Sequence, residues 1–101
     1  MVDDTFDWHG HKFEGVVSDP KLLKTQPGIY LVWADKKVLD IGEAGDVQAR
    51  VSNHDRKDCW QRHATGGILY GAHYMPRASE QERRDLEANF RAMDDYPCGK
   101  R

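Results

Sequence analysis

The sequence predicts a small α+β domain, in which a mainly antiparallel sheet of three central strands is flanked by helices. Three observations indicate this class: an apolar hairpin over residues 28–42, a third apolar segment over 68–75, and a helical pattern after each of them. A chain of 101 residues has room for one domain. We expect residues 1–26 to form an N-terminal extension that packs on a domain of residues 27–99.

Composition excludes the disordered, membrane-spanning and disulfide-scaffold classes. Hydrophobic residues make up 39% of the chain and charged residues 32%, which is a globular balance. No apolar run approaches the ~20 residues of a membrane span, and the acidic start Met1–Asp4 is not typical of a secretory signal. Cys59 and Cys98 are too few for a disulfide framework. We therefore expect a soluble cytoplasmic protein with reduced thiols.

The net charge of −2 conceals a difference between the two halves of the chain. Residues 1–49 carry nine acids and five lysines, whereas residues 50–101 carry ten bases and eight acids. Eight of those ten bases are arginine, which suits bidentate phosphate contact better than lysine does. The second half is thus the better candidate for contact with nucleic acid, although arginine also serves ordinary solvated helix faces.

The first elements are predicted from turn signals and β-forming residues. Aromatic residues around Gly10 are compatible with a small hairpin, and Asp19 followed by Pro20 predicts one helical turn. Gly28–Ala34 is the strongest predicted strand because it is rich in β-branched and aromatic residues. Val38–Gly42 is the second strand, and the three residues between the two predict a hairpin.

The hairpin predicts which side chains share a face of the sheet. If Ala34 faces Val38, then Tyr30 faces Gly42, and alternate residues point to opposite faces. One face holds Tyr30, Val32, Asp40 and Gly42. The other face, which we expect to be the better core face, holds Ile29, Leu31, Trp33, Leu39 and Ile41.

A first helix is predicted to begin at Val47, with Asp46 as its N-cap. Val51 is four residues after Val47, so both side chains are expected to point inward. Arg50 and His54 are also four residues apart and would share an adjacent stripe of the helix.

The third strand and the last helix follow. The strand covers Ile68–Met75 and is stopped by Pro76. Ser79 and Glu82 form a capping box at the start of the last helix, which ends before Pro97. The apolar stripe of this helix consists of Leu86, Phe90 and Met93.

Residues that could carry chemistry follow one another in a specific order. Gly28-Ile29-Tyr30 is followed ten positions after Tyr30 by Asp40-Ile41-Gly42, and then by Arg50 and His54. Later segments read Arg-Asp-Leu-Glu-Ala-Asn-Phe over residues 84–90 and Tyr-Pro-Cys-Gly over residues 96–99. This ordered set resembles the GIY-YIG nuclease domain over about residues 27–99. Asp40 replaces the usual tyrosine of the second motif. Residues 96–99 resemble the Pro-Cys-Asn ending of one bacterial subgroup, with Gly99 in place of the asparagine.

The resemblance implies an endonuclease and a role for each matching residue. Tyr30 would orient or deprotonate the attacking water, and Gly42 would let the substrate or the following loop approach the backbone. Arg50 and His54 would contact the scissile phosphate. Glu87 would hold a divalent cation, Mg²⁺ or Mn²⁺.

These roles agree with the chemistry of phosphodiester hydrolysis, which builds negative charge at phosphorus. A guanidinium can neutralise that charge through two parallel hydrogen bonds. A hard cation can be held by one carboxylate together with phosphate and water oxygens. A tyrosine with its usual pKa of ~10 needs nearby positive charge or a metal to act as a base at neutral pH, whereas a histidine titrates near neutrality.

Asp40 places a carboxylate on the Tyr30 face, where a phosphate is expected. Three consequences are open: Asp40 could weaken DNA binding, accept a proton as an alternative base, or help to hold the metal. The substitution also leaves open a catalytically weak or inactive domain.

Two further clusters follow the first helix. Basic residues interleaved with Trp60 could extend a phosphate-binding surface, and we expect Arg56, Lys57 and Arg62 to contact the substrate. Cys59, His63 and the distant Cys98 could suggest zinc. Their spacing departs from the usual paired-ligand forms, so a buried thiol and a histidine that ends the helix are the favoured interpretation.

The leading interpretation is a metal-dependent endonuclease that hydrolyses DNA, in a family whose members act in repair, restriction and mobile-element movement. The alternatives are a module of the same fold that binds nucleic acid or a protein without catalysis, and an interaction domain that binds no nucleic acid. About 26 residues precede the first motif, so specificity is expected from the core itself, a homodimer or a protein partner.

Overall fold

The computed structural model describes residues 5–99, with positions 6 and 15 described by their backbone alone. The acidic start of the chain, on which the signal-peptide prediction rests, lies outside these residues. Five strands form one sheet: β1 (Thr5–Trp8), β2 (His11–Val17), β3 (Gly28–Ala34), β4 (Lys37–Ala44) and β5 (Leu69–Tyr74). The helices are α1 (Val47–Ser52), α2 (Lys57–Arg62) and α3 (Glu80–Met93), with a 3₁₀ turn at Pro20–Leu22.

The sheet has the strand order β1-β2-β5-β3-β4, and each neighbouring pair is antiparallel. The predicted α+β class with an antiparallel central sheet is therefore confirmed. The N-terminal hairpin extends this sheet, because β2 pairs with β5 through Glu14 opposite Ala72. Its two-residue turn is His9-Gly10, with φ of 49° and 84°, the positive values that a type I′ turn requires.

The register of β3 and β4 agrees with the prediction over the functional segment. Tyr30 lies opposite Gly42 and Val32 opposite Asp40. The predicted pairing of Ala34 with Val38 is wrong, because the turn has two residues instead of the expected three. Both turn residues, Asp35 and Lys36, have positive φ, and Ala34 faces Lys37. A bulge next to Val32 takes up the extra residue of β4 and restores the predicted register.

Apolar side chains cover both faces of the sheet, and the prediction that Leu39 shares a face with Ile29 is wrong. The bulge turns Leu39 toward the Tyr30 face. The cluster on that face holds Leu23, Tyr30, Val32, Ala34, Leu39, Ala44, Val47, Val51, Trp60, Tyr70, Ala72 and Cys98. The cluster on the opposite face holds Phe13, Ile29, Leu31, Ile41, Phe90 and Tyr96. Helices α1 and α2 contribute to the first cluster, and α3 contributes to the second.

Helix caps predicted from the sequence are present. Asp46 accepts a hydrogen bond from the Ala49 amide at the start of α1, and Ser79 and Glu82 form the capping box of α3. Helix α2 was not predicted, because its six residues are mostly polar and follow α1 closely. None of the helices within residues 5–99 is long and apolar enough to cross a membrane.

The prediction of reduced thiols is wrong for this structure, in which Cys59 and Cys98 form a disulfide with Cα atoms 5.7 Å apart. The two residues are 39 positions apart in the chain, so nothing in the sequence showed that α2 and the C-terminal segment meet. Closing a loop of this length restricts the unfolded chain, which stabilises the fold by about 4 kcal/mol in the chain-entropy account.

Phe90 tests the packing of α3 against the sheet. Its side chain is fully buried, whereas Met93, predicted in the same stripe, is the last residue of α3 and is 54% exposed. Phe90→Ala should lower the free energy of unfolding by about 3–5 kcal/mol because it leaves a cavity. Met93→Ala, the control, should change it by less than about 0.5 kcal/mol. Urea denaturation measures both, and equal losses would contradict the described packing.

Candidate active site

Tyr30 lies across Gly42 at the centre of the hairpin, and both residues are buried. A Cβ atom at residue 42 would lie 2.2 Å from Tyr30 Oη and 2.4 Å from its Cζ. A side chain at this position would therefore displace the tyrosine ring. The ring of Tyr30 itself makes the close approach to the backbone that was expected of the substrate or the following loop.

The hydroxyl of Tyr30 lies 2.6 Å from Nε2 of His54, which is buried in the loop after α1. The other ring nitrogen of His54, Nδ1, accepts a hydrogen bond from the Arg56 amide at 3.0 Å. An amide nitrogen can only donate, so a neutral His54 must carry its proton on Nε2. His54 therefore donates to Tyr30, and the hydroxyl hydrogen of Tyr30 is directed to another acceptor.

Both groups are neutral at pH 7. Burial is the largest cause that lowers the pKa of His54 to about 4, and the charges of Arg50 and Arg56 lower it further. Burial is also the largest cause that raises the pKa of Tyr30 to about 12, followed by the charge of Asp40. Tyr30 is thus a phenol in the free protein. It can act as a base only after it has lost its hydroxyl proton, and positive charge beside it is required for that loss.

Asp40 is fully buried and its two carboxylate oxygens are occupied by donors. Oδ2 accepts from Arg56 Nε at 2.8 Å and from Trp60 Nε1 at 2.9 Å. Oδ1 accepts from the Ile41 amide at 2.8 Å and from Arg56 Nη2 at 3.2 Å. Asp40 is not among the residues that line the cleft described below. Its place in the structure is that of partner to Arg56.

Arg56 brings a permanent positive charge to Tyr30. Its Nη2 lies 3.5 Å from the Tyr30 hydroxyl, while the guanidinium is held by Asp40 through two nitrogens. Burial opposes the cation, but the hydrogen bonds and charge of Asp40 outweigh burial and raise the pKa of Arg56. The sequence indicated Arg56 only as one of several basic residues and gave no sign of this pairing.

A cleft of about 540 Å³ opens beside Tyr30. Its lining comes from β3, β4, α1, the residue before α2, and α3. The lining residues are Tyr30, Glu43, Arg50, Arg56, Gln81, Arg84, Asp85, Glu87, Ala88 and Arg91. Four of the sequence-predicted site residues, Tyr30, Arg50, Arg56 and Glu87, thus meet in one cleft.

Other predicted site residues lie outside this lining. His54 and Gly42 are beneath Tyr30 and support it from within the core. Lys57 donates from its ammonium group to the carbonyl oxygen of Ser52, and Arg62 is exposed on α2. The structure places neither Lys57 nor Arg62 on the cleft.

Three carboxylates line the cleft, and two of them, Glu43 and Glu87, lie next to each other. Glu87 Oε2 accepts from the Glu43 amide at 3.2 Å and lies 3.5 Å from Arg91 Nη2. Glu43 Oε1 is buried and accepts no hydrogen bond from the described residues. Arg83 Nε lies 3.8 Å from it, which is beyond hydrogen-bond distance. Carboxylate oxygens are the ligands that Mg²⁺ and Mn²⁺ prefer, so these residues fit such an ion. Sequence reasoning missed Glu43, although it directly follows Gly42.

Comparison with solved structures identifies the fold. Three structures of the GIY-YIG N-terminal endonuclease domain of UvrC from Thermotoga maritima, each a point mutant bound to its catalytic divalent cation, match with a TM-score of 0.60. The matches cover 81–82% of this chain and 91–92% of that domain, at 17–18% sequence identity. This chain has the GIY-YIG fold. No protein-family profile matches it, and no curated protein sequence matches it.

Asp40 and Gly99 are neighbours in space. A Cβ atom at Gly99 would lie 3.1 Å from Asp40 Oδ1 and 2.8 Å from Nη1 of Arg91. Arg91 in turn donates to the carbonyl oxygens of Gly99 and Ile41. The absence of a side chain at residue 99 therefore makes room for the buried carboxylate and for the arginine that holds the C-terminal segment.

The pH dependence of stability tests the buried, neutral state of His54. Between pH 6.5 and about 4, the unfolded histidine takes up a proton that the folded one does not. The wild type should therefore lose stability as the pH falls through this window, by up to ~1.4 kcal/mol per pH unit from this group. In His54→Gln this component is absent, while the carboxylates of the two proteins contribute alike. Urea denaturation should show the advantage of the wild type shrinking as the pH falls, and parallel profiles would contradict the account.

Proposed function

We propose that this protein is a divalent-metal-dependent endonuclease that hydrolyses phosphodiester bonds in DNA. The observation that carries the proposal is the meeting of Tyr30, Arg50, Arg56 and Glu87 in one cleft of a GIY-YIG fold. The cleft combines a hydroxyl, guanidinium groups and a carboxylate, which is the set of groups that hydrolysis of a phosphodiester requires.

The arginines bind and neutralise the phosphate. Arg50 is at the end of α1 with a 41% exposed side chain, so its guanidinium can reach a bound strand. Arg56 is already oriented by Asp40, and no freedom of its guanidinium is lost when the substrate arrives. The two cations together stabilise the charge that develops at phosphorus in the transition state.

Tyr30 acts on the attacking water. Its oxygen receives the Nε2–H of His54, and its own hydroxyl hydrogen is left for a partner in the cleft. With a pKa raised to about 12 by burial and by Asp40, Tyr30 orients this water as a neutral phenol. Arg56 and Arg50 both lower that pKa and so favour release of the hydroxyl proton to solvent, and the phenolate that results can accept the proton of the attacking water.

Glu87 and Glu43 would hold the cation. Mg²⁺ or Mn²⁺ supplies charge stabilisation at the scissile phosphate and the leaving oxygen when bound. The Glu43 amide donates to Oε2 of Glu87 and restricts the orientation of that carboxylate. Arg91, 3.5 Å from the same oxygen, limits the negative charge that the two glutamates accumulate.

A DNA substrate implies a location inside the cell, and we propose the cytoplasm. A homodimer or a protein partner would add sequence or structure specificity to so small a nuclease. A second function, nucleic-acid or protein binding without catalysis, is favoured by the high pKa of Tyr30 and by the loss of the second-motif tyrosine at Asp40. Salt-sensitive DNA binding without metal-dependent nicking would support this second function instead.

Glu87→Gln should remove the cation and lower metal-dependent cleavage of DNA at least about 100-fold. Its melting temperature should change little, because the glutamine keeps the size of the side chain and its acceptor oxygen. The control is Asp58→Asn, which removes an exposed carboxylate on α2 that does not line the cleft. Nicking of supercoiled DNA with Mg²⁺ or Mn²⁺ measures both. Cleavage unaffected by Glu87→Gln, or absent from the wild type with either ion, would overturn the proposal.

Arg50→Ala should weaken DNA binding and flatten its salt dependence. Loss of one phosphate contact reduces the slope of log K against log salt by about 1. Arg77→Ala removes an equally charged, exposed residue that does not line the cleft, and it should leave the slope unchanged. Fluorescence anisotropy without divalent cations measures both slopes, and equal slopes in the two variants would place the bound strand elsewhere.

A further inference from the structure

Cys59, His63 and Cys98 form a cluster of metal-ligating side chains away from the cleft residues. Their ligand atoms, two sulfurs and one imidazole nitrogen, all lie within 4.8 Å of one another. Cys59 and His63 are four residues apart on α2 and its C-cap, which places them on one side of the helix. Cys98 reaches them from the C-terminal segment.

The segment that carries Cys98 is held independently of the disulfide. The Cys98 amide donates to the Leu39 carbonyl oxygen at 2.8 Å, and the Gly99 amide donates to the Tyr96 carbonyl oxygen at 2.9 Å. Arg91 donates to the carbonyl oxygen of Gly99. Breaking the bond between the sulfurs therefore leaves both close together, each on a backbone that stays in place.

The proposed location inside the cell makes the reduced form relevant, because the cytoplasm keeps thiols reduced. A dithiol reductant delivers two electrons and two protons to the disulfide, giving two thiols and leaving the reductant as its own cyclic disulfide. Two thiols facing one imidazole are the donor set that zinc and related soft divalent ions prefer. Cation binding displaces the two thiol protons into solvent.

We propose that the reduced protein binds one zinc-class divalent ion through Cys59, Cys98 and His63. Tetrahedral zinc with Zn–S of ~2.3 Å separates two sulfur ligands by about 3.8 Å, and the three ligand atoms lie within 4.8 Å of one another. His63 is exposed and Cys59 partly exposed, so the ion enters from the surface and its fourth position faces solvent. The disulfide in the oxidised protein and the metal ion in the reduced protein would each link α2 to the C-terminal segment.

The tie lies next to the residues that hold Asp40. Trp60, adjacent to Cys59, donates to Asp40, and Gly99, adjacent to Cys98, packs against the same carboxylate. The metal would therefore hold α2 and the C-terminal segment around Asp40 when the disulfide is reduced. The expected result is a thermal stability that rises with zinc more in the reduced protein than in the oxidised protein, in which only the cleft carboxylates can bind the ion.

Anaerobic titration with Co²⁺ tests the site directly. Tag-free protein is reduced with a dithiol, which is then removed, and Co²⁺ should give a thiolate-to-metal charge-transfer band that saturates at one ion per chain. Zinc should displace the cobalt and abolish the band. His63→Ala should weaken the apparent affinity at least about tenfold, and Cys98→Ser should remove most of the charge-transfer intensity.

Two controls separate this site from other metal binding. His9→Ala removes an exposed histidine outside the cluster and should leave cobalt binding unchanged. Glu87→Gln should also leave it unchanged, because the cleft carboxylates are not part of the cluster. The exposed position of His63 keeps His63→Ala folded, and oxidised wild type supplies a second comparison. Absence of the band in reduced wild type, equal binding by the oxidised protein, or undiminished affinity in His63→Ala would each overturn the proposal.

Discussion

The buried carboxylate of Asp40 is the interaction on which the functional end of the molecule depends. Four donor nitrogens converge on it, from Ile41, Arg56 twice, and Trp60. A buried carboxylate without such partners would cost several kcal/mol, so this part of the fold must assemble around it. That requirement brings three residues close to the carboxylate: Arg56 at the start of α2, Trp60 within α2, and Gly99.

Because Asp40 is buried and must be paired, it acts differently from an exposed acid at a position where the GIY-YIG pattern has a tyrosine. The Asp40 carboxylate is buried and pairs with Arg56. The charged group that lies beside the Tyr30 hydroxyl is therefore the Arg56 guanidinium, a cation. The pair thus raises the pKa of Tyr30 through Asp40 and lowers it through Arg56, with burial as the larger effect. Arg56 lines the cleft, whereas Asp40 does not.

The sequence predicted the parts of the site that depend on local periodicity. The predicted pairing of Tyr30 with Gly42 holds because a bulge next to Val32 offsets a turn shorter than expected, and capping residues located α1 and α3. Contacts between distant segments could not be predicted in the same way. The Arg56–Asp40 pair and the Cys59–Cys98 bond join elements whose approach is decided by packing, and Glu43 joins Glu87 only because α3 lies beside the end of β4.

A double-mutant cycle on Asp40→Asn and Arg56→Gln is the most direct measurement of the central claim. Each single change leaves a buried partner poorly paired, so each should destabilise the fold, and the double variant should lose much less than the sum. Urea denaturation at neutral pH should give a coupling free energy of about 2 kcal/mol or more. Losses that add to within about 0.5 kcal/mol would show that Asp40 does not hold Arg56 beside Tyr30.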